Sequence, residues 1–202
     1  MSIKVLNPGL STTVQDLGRP GYYHLGIPIS GGMDRMALRA ANLLVGNNEN
    51  DAVFEAVFMG PELKFNVDSV VGVTGGEMVP KVDGVSKDTW TSFEVKAGQT
   101  LGFDYLKHGA RTYIAISGGL DVPIVLGSRS TYALGALGGF EGRPLIENDE
   151  IPIGRARNDA NIGVVVPQKL RRNELGDLVI LRMLPGLYWH RISEQSKKSF
   201  LD

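Results

Sequence analysis

The strongest constraint on the fold is a change of period near Ala52. From there to Ser117 the chain runs in short β-branched and aromatic stretches, broken at close intervals by Pro, Gly and Asp. Ala52–Phe58, Leu63–Val67, Val70–Thr74, Val79–Val82, Thr89–Val95, Gln99–Phe103 and Thr112–Ser117 each read as a strand. Asp83-Gly84, set between Val82 and Val85, is a two-residue hairpin signal that needs positive φ at both positions. Ile3–Leu6 reads as a further strand, stopped by Asn7-Pro8-Gly9. A tight turn followed by a strand is expected over Glu147–Pro152. The 26 glycines and ten prolines follow no repeat period and so mark many turns, hence a strand-rich fold rather than a helical bundle. This spacing predicts a mainly β fold, a barrel or a sandwich.

One helix interrupts the pattern. Ser30 or Asp34 caps an expected helix over 34–45, with Met36, Ala40, Leu43 and Leu44 on one face and a stop at Gly46-Asn47-Asn48. The segment feeding it, Gly9 to Gly46, sets Gln15, Asp16, Arg19, Ser30, Asp34, Arg39 and Asn42 among seven glycines and two prolines. Folding alone does not call for so many polar groups beside so many hinges, and such loops are where binding groups gather. Gln15-Asp16-x-Gly-Arg19 offers an amide, a carboxylate and a guanidinium fork suited to a small polar molecule; an internal Arg–Asp pair pinning the loop is the plain alternative. Ser30 to Asp34 could hold a carboxylate or phosphate at the helix N-terminus, or simply cap it. A second Gly-rich block, Ser117 to Gly142, carries Arg129, Ser130 and Thr131, which could complete an anion pocket with Arg19 or bond local backbone. Glu55, Glu77 and Asp104 would serve acid–base chemistry only if two of them faced each other.

Several function classes are excluded. With 21 basic and 22 acidic residues, the net charge of −1 makes no electrostatic case for nucleic acid or an anionic membrane. No cysteine is present, so thiolate catalysis and cysteine-ligated metals are out. His24, His108 and His190 are scattered, and no metal site is expected. No Gly-Lys-Ser/Thr follows the glycines, so a P-loop ATP site is absent. No apolar run nears ~20 residues; a cytoplasmic protein is the expectation.

GLSTTVQDLGRPGYYHLGIPISGGMDRMALRAANLLVGN and SGGLDVPIVLGSRSTYALGALGGFEGRPL resemble the biotin-dependent carboxyltransferase family, and within it the 5-oxoprolinase C subunits. The resemblance covers about the first 185 residues. It implies a cyclophilin-like β-barrel domain over 1–175 and the beginning of a second, truncated one over 176–202, announced by a strand at Leu178–Leu184. It also implies ATP-dependent opening of 5-oxo-L-proline to L-glutamate together with the A and B subunits of 5-oxoprolinase. ATP would be used by a partner and no cofactor bound by this chain; no Met-Lys-Met biotinylation motif occurs. A regulatory module that binds a histidine-kinase inhibitor, and a carboxyltransferase of the urea-carboxylase kind, are the alternatives. Carried over by position, Gln15, Asp16, Arg19, Ser30, Asp34, Asn42, Arg129, Ser130 and Thr131 are the expected substrate-binding groups. Met33, Asn47 and Tyr132 also match, whereas Asn148 stands where the family tends to have Gly.

Overall fold

The computed structural model describes residues 1–157, 160–171 and 180–201. Among these, eleven strands follow the periodicity read above. They are β1 (Ser2–Asn7), β2 (Thr12–Gln15), β3 (Val53–Val57), β4 (Glu62–Phe65), β5 (Ser69–Glu77), β6 (Pro80–Val82), β7 (Val85–Ser86), β8 (Ser92–Val95), β9 (Thr100–Phe103), β10 (His108–Ile116) and β11 (Glu150–Pro152). Two helices, α1 (Arg35–Leu44) and α2 (Glu194–Leu201), complete the regular structure of the described residues besides short 3-10 turns. The mainly β expectation holds. β2 lies inside the Gly-rich segment, where the sequence shows no strand; Val14 is its single large apolar side chain.

All pairs between these strands are antiparallel, in two sheets ordered β11-β1-β4-β9-β6-β7 and β2-β3-β10-β5-β8. Alternate side chains of each sheet point to one shared core. Ile3, Val5, Leu63, Phe65, Leu101 and Ile151 enter it from the first sheet, and Val14, Phe54, Val71, Val73, Ile114 and Ile116 from the second. The sheets also join at a corner. Leu120 bridges Ile153, and Gly154 N–H donates to Gly119 O at 3.0 Å. A Cβ on Gly118 would meet Gly154 O at 2.4 Å, so the two chains cross there only because neither carries a side chain.

The opposite face of the second sheet carries α1. Ala37, Leu38, Ala41, Leu44 and Val45 pack on Val53, Trp90, Tyr113 and Ala115. The buried stripe thus sits about one residue from the expected one. Met36 and Ala40 lie at its margin and Leu43 is exposed, because positions 37, 38, 41, 44 and 45 follow the helical repeat that faces the sheet. The cap is Asp34, whose Oδ1 accepts from Ala37 N–H at 3.1 Å.

The turn before β11 is fixed by charge. Arg143 Nη1 and Nη2 donate to the two Asp149 oxygens at 2.8 and 2.9 Å, and Ile146 N–H adds 2.8 Å. Asn148 takes φ 71°, the left-handed conformation that Gly would also adopt there. Burial alone would raise the Asp149 pKa; the Arg143 bonds and the Ile146 N–H outweigh it, so the carboxyl titrates below its usual range. Its stabilising contribution is therefore full above the unfolded value of about 3.9 and is lost as pH falls through the lower folded value. Wild-type Tm is expected to fall by a few degrees more than that of Asp149→Asn between about pH 4 and pH 2. Parallel acid limbs in calorimetry would contradict this.

The chain divides into two compact units, Met1–Arg171 and Arg172–Asp202. In the second, Trp189 meets Phe200 edge to face at 6.2 Å and Lys197 lies 5.9 Å from the Trp189 ring, fastening α2 to the preceding turn. The strand expected at Leu178–Leu184 is not formed in its described part. Ile180, Leu181 and Leu184 are more than four-fifths exposed, and no strand among the described residues pairs with their backbone; residues 178 and 179 lie outside the described residues. Among the described residues no helix is long and apolar enough to cross a membrane.

Candidate functional site

The two Gly-rich blocks meet. At the end of β2 the chain turns through Asp16, which is 3% exposed. Its carboxylate accepts from Gly18 N–H (2.7 Å), the Ser128 hydroxyl (2.6 Å), Arg129 N–H (2.6 Å) and the Ser130 hydroxyl. The Gly18 bond is an Asx turn, the local geometry that a short acidic side chain favours. The Asp16 main chain reinforces the junction: N–H donates to Ser130 Oγ at 2.9 Å, and C=O accepts from Gly32 N–H at 2.9 Å.

Ser128 to Ser130 reach Asp16 because they follow a two-residue hairpin. Val125 and Ser128 exchange both backbone bonds around Leu126 (φ 52°) and Gly127 (φ 76°). Positive φ at both positions is the geometry that matches the twist of a hairpin. The Gly127 block is therefore a turn that aims two hydroxyls at a carboxylate.

Arg19 closes the junction from the other side. Its side chain donates to Ser130 O, to Val125 O at 3.4 Å and to Ser30 Oγ at 3.2 Å, while its N–H donates to Ile29 O at 2.8 Å. It is 1% exposed, the largest of the fully buried side chains described. Burial lowers its proton affinity and nearby Asp16 works in the opposite sense. A buried guanidinium is tolerated when each edge has an acceptor, as here.

Of the expected binding groups, Gln15, Asp16, Arg19, Ser30, Arg129, Ser130 and Thr131 gather at this junction. Most of them bind one another. Thr131 Oγ1 donates to Val14 O at 2.9 Å, and Gln15 Nε2 reaches Thr13 Oγ1 (3.0 Å) and Thr131 O (3.3 Å), leaving Gln15 Oε1 with no partner among the described residues. The direct Arg–Asp pair given above as the plain alternative is not formed; Ser130 stands between the two, its hydroxyl donating to Asp16 and its carbonyl accepting from Arg19, and this internal clasp pins the loop. Arg19 and Arg129 share no acceptor: the Arg129 guanidinium turns to Val122 O (2.7 Å) and Asp121 (3.3 Å). Asn42 lies elsewhere. It donates to Asp51 O at 2.8 Å and accepts from Asn47 Nδ2, which also donates to Ile116 O at 2.9 Å. These two amides fasten the end of α1 to the end of β10. Asn42 is completely buried and offers no binding edge.

The anion expected at the α1 N-terminus is supplied by the chain itself. Glu55, on β3, accepts from Met33 N–H at 2.9 Å and from the Tyr113 hydroxyl at 2.6 Å, and the same hydroxyl accepts from Asp34 N–H at 2.6 Å. Arg111 Nε lies 3.4 Å from its other oxygen. Burial, then the Glu55 charge, push the Tyr113 phenol well above its ordinary value, so it stays a donor to Glu55. Glu77 and Asp104 face Lys107 and Lys81 instead of another carboxylate, which leaves no paired-carboxylate centre among the three. The sequence signal for Glu55 is an acidic residue inside Ala-Val-Phe-Glu-Ala-Val-Phe, a stretch otherwise apolar. Among the described residues no cluster of three or more His, Asp or Glu is placed to hold a metal.

Residues 25–202 match the family described as the carboxyltransferase domain, subdomain A and B. The chain is 38% identical over 200 residues to the 5-oxoprolinase C subunit of Escherichia coli (strain K12), a match that covers 98% of this chain and 62% of that protein. It is 41% identical over 145 residues to urea amidolyase of Saccharomyces cerevisiae, covering 71% of this chain and 8% of that one. The crystal structure of the K. lactis urea amidolyase superimposes with a TM-score of 0.81 at 35% identity, over 87% of this chain and 11% of that one. The chain thus spans about three-fifths of the curated 5-oxoprolinase protein and a small part of the larger enzymes. With two packed sheets, a helix on the outer face and a clasp between two polar, Gly-rich loops, this chain belongs to the carboxyltransferase-domain family.

Proposed function

We propose that the chain acts as a 5-oxoprolinase C subunit, working with the A and B subunits in the ATP-dependent opening of 5-oxo-L-proline to L-glutamate. The observation that carries this reading is the extent of the match: the chain aligns over 98% of its length with a 5-oxoprolinase C subunit and covers 62% of that protein, against 8% of urea amidolyase. The chemistry of the reaction suits a division of labour. A lactam carbonyl is a weak electrophile and must be activated before its C–N bond breaks. In this reading, ATP use falls to a partner protein, and this chain supplies a rigid polar junction that orients the small substrate.

The test is reconstitution of the three proteins with ATP and 5-oxo-L-proline, followed by glutamate release. Turnover is expected only when all three are present. An unchanged rate without this chain would exclude a role in the reaction. Tight binding to the B subunit, without any need for this chain in turnover, would favour a regulatory module. A carboxyltransferase of the urea-carboxylase kind is the second reading, supported by the 41% identity to the yeast enzyme. It predicts carboxyl transfer that requires urea and a biotinylated carrier, and no response to 5-oxo-L-proline.

A further inference from the structure

Ser30 stands apart from the other members of the clasp. It is partly exposed, whereas Asp16, Arg19, Ser128 and Ser130 are buried. Its φ of 57° lies in the left-handed region, which glycine enters freely and a serine only at a cost. Glycines follow it at 31 and 32, so the chain has a serine at a place where glycine would be easier. Helix capping does not explain the hydroxyl, because Asp34 is the cap. Its one hydrogen bond among the described residues is received, from Arg19 Nη1 at 3.2 Å. The Ser30 proton therefore has no acceptor among the described residues. A hydroxyl whose lone pair is held by a buried cation is a stronger donor than a free serine, and its O–H is turned away from the guanidinium.

We propose that Ser30 Oγ donates a hydrogen bond to the carbonyl oxygen of a small amide, with Arg19 as the positioning residue that aims and polarises it. Charge that grows on that oxygen as the carbonyl is attacked then meets a donor backed by a fixed positive group. Which amide binds rests on the proposed function: a lactam in a 5-oxoprolinase, urea in a urea-type carboxylase. The site itself does not depend on that choice.

Two substitutions separate this role from a structural one. Ser30→Gly relieves the backbone but takes the acceptor from Arg19 Nη1; the two effects oppose each other, so Tm is expected to move by less than about 2 °C. Ser30→Thr keeps the hydroxyl but places a β-branched residue at positive φ, so Tm is expected to fall. Binding is expected to run in the opposite order. 5-Oxo-L-proline, 2-pyrrolidinone and urea would be titrated into the 202-residue chain and followed by ligand-observed NMR. At least one should bind the wild type, about tenfold more weakly to Ser30→Gly and nearly as well to Ser30→Thr. In the reconstituted complex the Gly variant should lose about 10–100-fold in kcat/KM. Equal affinity of wild type and Ser30→Gly overturns the assignment, as does a wild type that binds none of the three. If the wild type binds amides through Ser30 yet the complex releases no glutamate, the 5-oxoprolinase reading falls and the Ser30 site stands.

Discussion

Asp16→Ala is expected to destabilise the first unit by about 3–5 kcal/mol, the range for removing one partner from a buried charged network. Four donors lose their acceptor together: Gly18 N–H, Arg129 N–H and the hydroxyls of Ser128 and Ser130. Arg19 loses its nearby counter-charge in the same step. At about 2–4 °C per kcal/mol for a chain of this size, Tm should drop by roughly 10 °C. Hydrogen exchange should locate the damage, with amides 16–19 and 128–131 opening first. Asp16→Asn retains the shape and part of the acceptor capacity, so it should cost clearly less. If the Ala and Asn variants melt together within about 1–2 °C of wild type, the clasp is not a stabilising element and the account of the junction is wrong.

Removing the carboxylate under the helix should have the next largest effect. Glu55→Ala strips the acceptor from Met33 N–H and the Tyr113 hydroxyl and leaves Arg111 without its anion. A loss of about 3 kcal/mol is expected, by the same reasoning of orphaned buried donors. The effect should be confined in location: amides 33–37 at the start of α1 exchange faster, while β11 and its Arg143–Asp149 turn are unaffected. Tyr113→Phe removes one bond of the set and should cost about 1 kcal/mol or slightly more. A double variant costing no more than Glu55→Ala alone would show that the two act as one network. Additive losses would mean that Tyr113 holds Asp34 independently of Glu55.

Most of the first unit is legible in its residue order. The strands from β3 to β10 are short, β-branched and bounded by Gly, Pro or Asp, and alternation tells which side chains face inward. α1 is readable from Asp34 and the Gly46 stop. Its buried stripe is displaced from the expected one because Met36 and Leu43 are as apolar as the residues that do pack; only the sheet beneath chooses between them. β2 is hidden for a different reason. Thr12–Gln15 gains its strand character from Ala56, Glu55, Phe54 and Val53 across the pair, and not from its own composition. Leu178–Leu184 shows the converse. Its composition is that of a strand, yet its described part has no partner strand among the described residues.

The candidate site divides in the same way. Local chemistry marks Gln15, Asp16, Arg19, Ser30, Ser130 and Thr131 as unusual, since polar groups among glycines need a reason. It cannot say whether Arg19 faces a ligand or a carbonyl 111 residues away. Propensity and periodicity are properties of neighbouring residues, so the β class, the helix and the turns follow from residue order alone. Which donor meets which acceptor is a property of sheets that bring distant segments within hydrogen-bond reach. Only once the sheets are assembled do Asp16 and Arg19 meet across Ser130 and Glu55 fill the α1 N-terminus.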